Sequence, residues 1–390
     1  MTDSADVVVI GGGISGAAAA YELARAGAKV TLLEQGSLAS MASGWTLAGV
    51  RQSGRHPAEL PLATAAVTRW GQLSEELGAD VEYQRQGNLR LARTAEEVPR
   101  IENIVAEQRA LGLDLTFLPD NASVRNIAPA IAESVLAASF CPTDGHANPI
   151  ATVQAYARSA GRHGATIRTD TTVTSIGIDA RSGRVRSVRT TNGAFAADTV
   201  VVAAGVHTAR LLAPLGIDLP IAVGHVAVVQ TVPLPPLIGQ VLGVATADFA
   251  GRQEVGGRFR LTGGGTPWPH DLDILAQGYD SVLPSAGHIA AALARGIEIL
   301  PVLAAARVAQ VWGGLLDMTP DALPVIERIP EIDGLIVAAG FSGHGFCLGP
   351  VTGQILRDLA LSGDTDFPIA PFQRDRFAES TEQATATLHG

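Results

Sequence analysis

The chain has 390 residues, 47% of them hydrophobic and 17% charged, a composition that can bury large cores and is unlike that of a disordered chain. Two cysteines cannot form a disulfide scaffold, and a net charge of -10 gives no overall positive field for nucleic acid or an anionic membrane. Residues 1–6 lack the basic segment of a secretory signal, and residues 219–247 contain four prolines that would interrupt a membrane helix. We therefore expect a cytoplasmic protein with no membrane span, no nucleic-acid partner and no metal site.

The first 35 residues predict one complete strand-helix-strand unit. An apolar strand begins at Asp6, a glycine-rich turn follows it, an alanine-rich helix ends at Gly27, and a second apolar strand leads to Glu34. Units of this kind build parallel sheets, because the helix returns the chain to the start of the next strand.

The glycine turn lies directly between the first strand and the first helix. Without β-carbons, Gly11 can form the tight turn, Gly13 lets the backbone approach a pyrophosphate, and Gly16 lets the helix pack closely on the strand. Glu34 follows 18 residues after Gly16, where a carboxylate can accept hydrogen bonds from the ribose hydroxyls of an adenosine. This spacing predicts a dinucleotide site and leaves open whether the ligand is NAD or FAD.

Further elements are spread along the rest of the chain. We predict a helix over 59–77, an extended segment over 81–90, helices over 95–111 and 150–162, short strands between 165 and 190, and a helix over 349–361. Two continuous apolar strands, TVVVAAG at 199–205 and GLIVAAG at 334–340, both end in small residues. Because both lie far from the first strand in the chain, we expect one parallel sheet assembled from distant segments.

These elements predict an α/β fold with a second, discontinuous domain. The alternating runs HVAVVQTV and GRFRLTGG indicate a mainly antiparallel sheet in that second domain. The predicted division assigns 1–80, 145–220 and 312–376 to the dinucleotide-binding domain, 81–144 and 221–311 to a substrate domain, and 377–390 to a loose C-terminal tail.

Four blocks that span nearly the whole chain resemble one superfamily. They are VVVIGGGISGAAAAYELARAGAKVTLLEQ, SGWTLAGVRQSGRHP, TVVVAAGVHTARLL, and WGGLLDMTPDALPVI with GLIVAAGFSGHGFCLGPVTGQILRDL. The sequence is similar to the FAD-dependent amine oxidoreductases of the D-amino-acid oxidase (DAO) superfamily, in the branch of glycine oxidase and the sarcosine oxidase β subunit. The resemblance implies a Rossmann-like FAD-binding domain of glutathione-reductase type. It also implies oxidation of a C-N bond, in which a hydride passes to flavin N5 and the resulting imine hydrolyses.

The resemblance further implies which residues contact FAD. The loop FSGHGF at 341–346 would face the pyrimidine edge of the flavin, where backbone amides stabilise negative charge. The segment 43–48 would wrap the pyrophosphate and the flavin, and 203–205 with Val173 would lie beside the adenosine. The expected contacts are Gly11, Gly13, Ile14, Ser15, Gly16, Glu34, Gln35, Ser43, Gly44, Trp45, Thr46, Leu47, Ala48, Val173, Ala203, Ala204, Gly205, Gly313, Gly340, Phe341, Ser342, Gly343, His344, Gly345 and Phe346.

The segment that would supply a cation for the substrate carboxylate departs from the glycine oxidase pattern. Glycine oxidases commonly place an Arg before a Pro ahead of the TPD turn to bind the substrate carboxylate, and here Leu316 and Asp317 stand in that place. A buried carboxylate needs a cation, and Arg51, in the loop expected to approach the flavin, is the first candidate. Further candidates are Arg55, His225, Arg258 and Arg260. The histidines that could take a proton from the substrate ammonium are His207, His225 and His344.

Gly314 and Lys29 bear on how FAD is attached and on which electron acceptor is used. Some members attach FAD to a Cys five residues before the Thr of TPD, but Gly314 stands there, so we expect non-covalent FAD. Cys347 is expected to be a small buried side chain. Sarcosine-oxidase-type members use a lysine near the flavin to react with oxygen, whereas the only lysine here is Lys29, at the start of the second strand. The acceptor therefore stays open between O2 and a partner protein.

Three functions follow from the resemblance. The first is oxidation of a secondary or N-substituted amino acid such as glycine, sarcosine, an N-carboxymethyl amino acid or an imino acid. The second is the same chemistry in the catalytic β subunit of a hetero-oligomer that passes electrons to another chain. The third is a flavoprotein redox sensor without amine turnover. Both homo-oligomers and hetero-oligomers are compatible with the sequence.

Overall fold

The computed structural model describes residues 3–277 and 281–378, which form ten α-helices and nineteen strands. The helices are α1 (Ile14–Arg25), α2 (Ala42–Trp45), α3 (Leu60–Trp70), α4 (Leu73–Leu77), α5 (Val98–Ala110), α6 (Asn121–Ile127), α7 (Pro149–Arg162), α8 (Thr208–Leu212), α9 (Ala286–Ile299) and α10 (Gly345–Leu361). The strands are β1 (Asp3–Ile10), β2 (Val30–Leu33), β3 (Gly49–Val50), β4 (Asn88–Ala92), β5 (Thr116–Leu118), β6 (Ala137–Cys141), β7 (Gly145–His146), β8 (Thr166–Arg168), β9 (Val173–Ile178), β10 (Val185–Thr190), β11 (Gly193–Val202), β12 (Ala222–Pro233), β13 (Val241–Val244), β14 (Phe249–Gln253), β15 (Arg258–Gly263), β16 (Thr266–Pro267), β17 (Val308–Met318), β18 (Val325–Arg328) and β19 (Leu335–Ala339).

The N-terminal unit lies at the centre of a largely parallel sheet. Strand β1 pairs in parallel with β2 and β11, and β11 pairs in parallel with β19, so the distant apolar strands do join the first strand. The strand order is β18-β19-β11-β1-β2-β8, and β9 and β10 extend β11 as an antiparallel meander. The carboxyl ends of β1, β2 and β11 therefore meet beside the glycine turn.

Each face of this sheet has its own core. Successive side chains of a strand point to opposite faces, so Val7 and Val9 pack with α1, α3, α7 and α10. Val8 and Ile10 pack on the other side with apolar residues of β9 and β10. Helices α1 and α10 approach so closely that a Cβ at Gly353 would lie 2.7 Å from backbone and Cβ atoms of Ala18.

The second sheet has the order β16-β12-β15-β14-β13-β4-β6-β5, with β17 paired to the other side of β12. All of its pairs are antiparallel except β13 with β4, which confirms the predicted mainly antiparallel sheet. The apolar run 219–247 forms β12 and β13. Across the described part of the chain, no helix has the length and apolar character that crossing a bilayer requires.

The structure corrects several predicted boundaries. The helix predicted over 59–77 is divided into α3 and α4 at Gly71, a residue of low helix propensity. Of the extended segment 81–90 only Asn88 onward is a strand, and Gln84 adds an isolated bridge to His146. Helix α10 begins at Gly345, four residues before the predicted start, so Phe346, Cys347 and Leu348 belong to its first turn.

The division into domains is corrected at one point. Strand β17 pairs with β12 along most of its length, so the predicted boundary at residue 312 falls inside a strand of the second sheet. The pairing of β12 with β17 could not be recognised from the sequence, because the paired residues are 77 to 96 positions apart. The other predicted boundaries stay predictions, and from residue 379 the predicted tail lies outside the described residues.

Candidate active site

A cavity of about 980 Å³ opens at the carboxyl ends of β1, β2 and β11. Its size lies at the upper end of the range of about 300–1,000 Å³ for small-molecule sites. The carboxyl edge of a parallel sheet is where such folds bind dinucleotides. We call it the long cavity; it is lined by 10–15, 33–36, 39–43, Thr46, 171–176, 203–207, Arg210, Leu211, Pro214, Leu215, Leu272, Asp273, Leu275, 315–317, Ala338, Phe341, Gly343, Gly345 and Phe346.

The glycine turn forms one end of the long cavity. Gly11 has a φ of +111°, and a Cβ there would lie 2.2 Å from the carbonyl oxygen of Ala203, so the turn requires glycine. A Cβ on Gly16 would lie 2.0 Å from the carbonyl oxygen of Gly11, which fixes the close packing of α1 on the turn. The first turn of α1 thus faces the cavity with backbone N–H groups that no preceding helical turn can pair, the arrangement that binds a pyrophosphate.

Glu34 follows β2 and lies beside this turn. Its carboxylate is buried and accepts hydrogen bonds from the backbone N–H groups of Gly12, at 2.6 Å, and Gly36, at 2.8 Å. Burial raises the pKa of Glu34, and the two backbone hydrogen bonds oppose that rise. Each oxygen keeps acceptor capacity toward the cavity, so the carboxylate is placed to receive two ribose hydroxyls.

The loop before α10 forms the other end of the long cavity, and Asp317 holds it in place. The carboxylate of Asp317 accepts a hydrogen bond from the N–H of Gly340 at 2.7 Å, and its carbonyl accepts one from Ser342 at 2.9 Å. Burial raises the pKa of Asp317 to about 6. Phe341, Gly343 and their neighbours face the cavity. The residue that replaces the glycine oxidase Pro therefore supports the predicted flavin loop.

These features fit FAD. The glycine cradle and the start of α1 would hold the pyrophosphate, Glu34 would hold the adenosine ribose, and the loop 340–346 would border the flavin ring. The fold and the cavity thus define a dinucleotide-binding protein, with a further end of the cavity at 340–346 where a flavin ring fits.

A smaller cavity of about 100 Å³ adjoins the flavin end of the long cavity. The residues that line both are Ala42, Thr46, Leu315, Leu316, Gly343 and Phe346. Its remaining wall comes largely from the second sheet. This wall is apolar except for Asn88, Thr262 and three arginines, Arg51, Arg55 and Arg90. We call it the substrate cavity, because its position beside the predicted flavin ring suits a small reactant.

Arg51 is the predicted substrate cation, and its guanidinium lines the substrate cavity. Its Nη1 donates a hydrogen bond to the carbonyl oxygen of Ser53 at 2.7 Å, which orients the side chain. Burial lowers the pKa of Arg51, and the neighbouring Arg55 and Arg90 lower it further. A partly buried guanidinium among like charges favours an anionic ligand.

Two of the predicted catalytic residues lie away from this cavity. His344 is buried with Nδ1 3.0 Å from a carboxylate oxygen of Glu59, and it lines neither cavity. Burial, followed by the charge of Arg55, lowers the pKa of His344 to about 4. His225 lies on β12, where Val226 and Val228 face the substrate cavity and His225 points to the opposite side, 5.0 Å from the ring of Trp268. Burial lowers its pKa.

The remaining polar candidates, Arg258, Arg260 and His207, do not line the substrate cavity. Arg260 donates to the carbonyl of Thr46 at 2.7 Å and pairs with Glu254, and Arg258 donates to Gln230. His207 lines the long cavity, and burial lowers its pKa. Among the described lining residues of the substrate cavity there is no His, Lys, Asp or Glu.

Most of the predicted FAD contacts line the long cavity. Those that do are Gly11, Gly13, Ile14, Ser15, Glu34, Gln35, Ser43, Thr46, Val173, Ala203, Ala204, Gly205, Phe341, Gly343, Gly345 and Phe346, whereas Trp45 and Leu47 line the substrate cavity. The predicted contacts outside both linings are Gly16, Gly44, Ala48, Gly313, Gly340, Ser342 and His344. A Cβ on Gly313 would meet His225 Nε2 at 2.5 Å, so Gly313 faces the same side as His225. Gly340 and Ser342 instead donate backbone hydrogen bonds to Asp317.

Sequence analysis missed many of the lining residues, and three groups of them bear on the site. They are Gly12 with Met41, the segment 171–176 apart from Val173, and Asn88 with Arg90. Arg90 carried a signal, because it interrupts the apolar run NLRLA and every residue of that strand is buried. A charged side chain inside such a run indicates a polar site.

Three further positions bear on the attachment of FAD and on the reaction of reduced flavin with oxygen. Gly314 lines the substrate cavity and has no side chain that could form a thioether with FAD. Cys347 is buried and donates to the carbonyl of Arg51 at 3.4 Å. Non-covalent attachment stays a prediction. Lys29 is exposed and lies before β2, at the edge of the sheet opposite the long cavity. Within 3–277 and 281–378, no three His, Cys, Asp or Glu side chains cluster as a metal site would need.

Known proteins place the chain in a family. The model of the FAD-dependent oxidoreductase family, DAO, matches residues 6–359. Glycine oxidase of Geobacillus kaustophilus (strain HTA426) is 30% identical over 96% of this chain and 98% of its own, and sarcosine oxidase subunit beta of Arthrobacter sp is 29% identical over 96% and 91%. The crystal structure of glycine oxidase from Geobacillus kaustophilus superposes with a TM-score of 0.88, at 29% identity over 96% of this chain and 99% of that one.

The chain belongs to the FAD-dependent oxidoreductase (DAO) family. The predicted family, the α/β fold, the FAD cofactor and the class of amino-acid or amine oxidoreductase are thereby confirmed. The assignment of individual catalytic and FAD-contact residues stays a prediction that the cavity geometry supports to different degrees.

Proposed function

We propose that this protein oxidises the C-N bond of a small secondary or N-substituted amino acid bound in the substrate cavity, with Arg51 binding the carboxylate. The observation that carries the proposal is the partly buried Arg51 in a mostly apolar cavity that shares six lining residues with the flavin end of the long cavity. When bound, FAD supplies the two-electron oxidant for this chemistry.

The protein side chains orient the substrate rather than take part in proton transfer. Arg51 fixes one end of the substrate, and the apolar walls formed by Val226, Val228 and Leu316 exclude water and direct the substituted carbon toward the flavin end. No described residue that lines the substrate cavity can act as a base. The amine is therefore expected to react in its neutral form after losing its proton to solvent. Activity should therefore rise with pH toward the pKa of the bound amine.

A comparison of free acids with their esters tests this function. Sarcosine, N-methylalanine, proline and glycine are assayed with a dye acceptor beside their methyl esters, which keep the amine and lose the carboxylate charge. The proposal predicts turnover of at least one free acid and a kcat/KM at least about 10-fold lower for its ester, the effect of losing a charge-assisted hydrogen bond. Equal rates for acid and ester would contradict the role of Arg51, and no turnover of any amine would favour a redox sensor.

A second candidate is the same reaction within a hetero-oligomer. The single lysine, Lys29, lies at the opposite edge of the sheet, so a lysine cannot assist reaction with oxygen. One of the similar proteins is named as the beta subunit of sarcosine oxidase. Turnover with a dye but not with O2 supports an electron-accepting partner, whereas rapid O2 consumption by the isolated chain excludes that need.

A further inference from the structure

Three consecutive carbonyl groups, in the segment 45–47 at the end of α2, accept hydrogen bonds from side chains of the second sheet. The three bonds run from Trp312 Nε1 to Trp45, at 3.3 Å, from Arg260 Nη1 to Thr46, at 2.7 Å, and from Arg252 Nε to Leu47. The donors belong to three different strands, β17, β15 and β14. We call these three donor side chains the clamp. The segment 45–47 is thus attached to the second sheet at each of its residues.

The clamp lies directly beside the wall of the substrate cavity. Each clamp residue is two positions from a residue that lines this cavity. The pairs are Arg252 with Ala250 on β14, Arg260 with Thr262 on β15, and Trp312 with Gly314 on β17. Residues two positions apart in a strand lie on the same face of a sheet. The face that forms the cavity wall therefore also holds the segment 45–47.

The two arginines of the clamp are buried, and each has further partners. Their side chains are 3% exposed for Arg252 and 10% exposed for Arg260. Nη1 of Arg252 lies 3.1 Å from Nδ1 of His146; burial, followed by the charge of Arg252, lowers the pKa of His146 to about 3, so its neutral ring can accept this bond at pH 7. Arg260 pairs with Glu254 at 2.7 Å and stacks on the ring of Trp312 at 5.1 Å. These contacts fix the direction of each guanidinium and hence the position of the carbonyl groups.

Fixing the carbonyl groups also fixes the N–H groups of the same peptide units. The C=O and N–H of a trans peptide unit point in opposite directions, so the N–H groups of Thr46, Leu47 and Ala48 point away from the clamp. The N–H of Ala48 donates to Oγ1 of Thr46 at 3.1 Å. Among the residues that the structure describes, no group accepts from the N–H of Thr46 or of Leu47. Thr46 lines both cavities and Leu47 lines the substrate cavity, so two donors lie where the cavities meet.

We propose that Arg252, Arg260 and Trp312 are positioning residues, which hold the segment 45–47 so that the N–H groups of Thr46 and Leu47 donate to the flavin of bound FAD. Backbone N–H groups in a folded protein need acceptors, and the flavin end of the long cavity is where these two lie. A carbonyl bound to a guanidinium polarises its peptide unit and strengthens the N–H as a donor. Donors beside a flavin stabilise the negative charge of its reduced form. The second sheet would thereby set both the affinity for FAD and the flavin potential.

The test compares variants of the clamp with a matched variant elsewhere in the second sheet. Arg252→Met and Arg260→Met each remove one donor, and Trp312→Phe keeps an aromatic ring and removes the N–H. The control is Arg93→Met, because the side chain of Arg93 is also buried, at 7% exposed, and pairs with Glu97 instead. Titration of the apoprotein gives the Kd for FAD. Equilibration of the FAD-loaded protein with a redox dye gives the midpoint potential of the flavin.

The expected result is a loss of FAD affinity that is larger for the reduced cofactor. Arg252→Met and Arg260→Met should each raise the Kd for oxidised FAD about 10-fold, as for the loss of a hydrogen bond from a charged group. The Kd for reduced FAD should rise about 100-fold, and this 10-fold difference lowers the midpoint potential by about 30 mV. Trp312→Phe should raise the Kd about 3-fold, as for a neutral hydrogen bond. Arg93→Met should keep the wild-type Kd and potential.

Three results would overturn the inference. The first is a wild-type Kd and potential in both arginine variants. The second is an equal change in Arg93→Met, which would show that any weakening of the second sheet has this effect. The third is a raised Kd with an unchanged potential, because the N–H groups would then not face the flavin. If the arginine variants do not fold, Trp312→Phe decides, and wild-type values in it overturn the inference. Neither measurement needs turnover, so a protein that oxidises no amine but shows the predicted shifts loses the proposed function and keeps this inference.

Discussion

The imidazole Nδ1 of His344 lies 3.0 Å from a carboxylate oxygen of Glu59, and both side chains are buried. His344 immediately precedes α10 and Glu59 immediately precedes α3, so the contact joins the starts of two helices that pack together. Glu59 also pairs with Arg55 at 3.5 Å. The predicted flavin loop is thereby fixed to the loop that carries the substrate arginines, and His344 has a positioning role.

Burial of His344 predicts that stability falls in mild acid, because burial lowers the pKa of its imidazole more than the Glu59 contact raises it. The pKa of His344 is about 4 in the folded protein and about 6.5 when unfolded, so the unfolded chain binds more protons between these values. The free energy of unfolding should be largest above about pH 6.5 and decrease by up to about 3 kcal/mol as the pH falls toward 4. Urea unfolding at a series of pH values measures this slope. His344→Gln should flatten it, the exposed His56→Gln should not, and an unchanged slope in His344→Gln would contradict the assignment.

Glu34 gives a prediction for cofactor affinity. Glu34→Ala removes the carboxylate expected to bind the ribose and leaves the N–H groups of Gly12 and Gly36 without their acceptor. The affinity for FAD should fall by about 1.5–3 kcal/mol, or roughly 10- to 100-fold in Kd. Titration of the apoprotein with FAD, followed by quenching of flavin fluorescence, measures the change. The exposed Glu75→Ala serves as control, and equal Kd values would remove the assigned role of Glu34.

The turn at Gly11 offers a matched pair of glycine substitutions. Gly11 and Gly27 both have positive φ, +111° and +93°, but a Cβ on Gly11 would meet Ala203 whereas one on Gly27 would meet nothing within 4 Å. Gly27→Ala should lower the free energy of unfolding by about 1–2 kcal/mol through backbone strain alone. Gly11→Ala should lower it by about 1–3 kcal/mol more through overpacking and should weaken FAD binding as well. Similar losses in the two variants would show that the turn is not tightly packed.

Arg51 gives a prediction for catalysis. Arg51→Met should reduce kcat/KM for a carboxylated amine by about 10- to 100-fold, mainly through KM, while the FAD content stays that of wild type. The exposed Arg109→Met is the control. Steady-state kinetics with the best substrate of the ester comparison measure the effect. Kinetics equal to those of wild type would show that a different cation binds the carboxylate.

The parts of the site that could be predicted from sequence are those encoded by neighbouring residues. Gly11, Gly13 and Gly16 fix a turn within six positions, and Glu34 closes the same local unit. Such short-range patterns specify backbone geometry directly. For this reason the predicted residues Gly11, Gly13 and Glu34 line the dinucleotide end of the long cavity, although Gly12 and most of 171–176 were not predicted.

The substrate cavity could not be assembled in the same way. Arg51 and Arg90 lie on separate elements, and Asp144, whose charge acts on both, comes from a third segment of the chain. Their meeting depends on how the second sheet packs against the first. His225 was misplaced for a related reason, because alternation along β12 allows either face to point inward until the register with β17 is known.

The central claim is that an amino acid bound beside Arg51 gives two electrons to FAD held along the sheet edge. Anaerobic mixing of the purified, FAD-loaded protein with sarcosine or iminodiacetate, followed in the visible flavin absorption band, tests it most directly. We predict complete bleaching of the band at saturating substrate, with one equivalent of carbonyl product per flavin. A protein that takes up no FAD, or whose flavin band is unchanged by every carboxylated amine, would contradict the account.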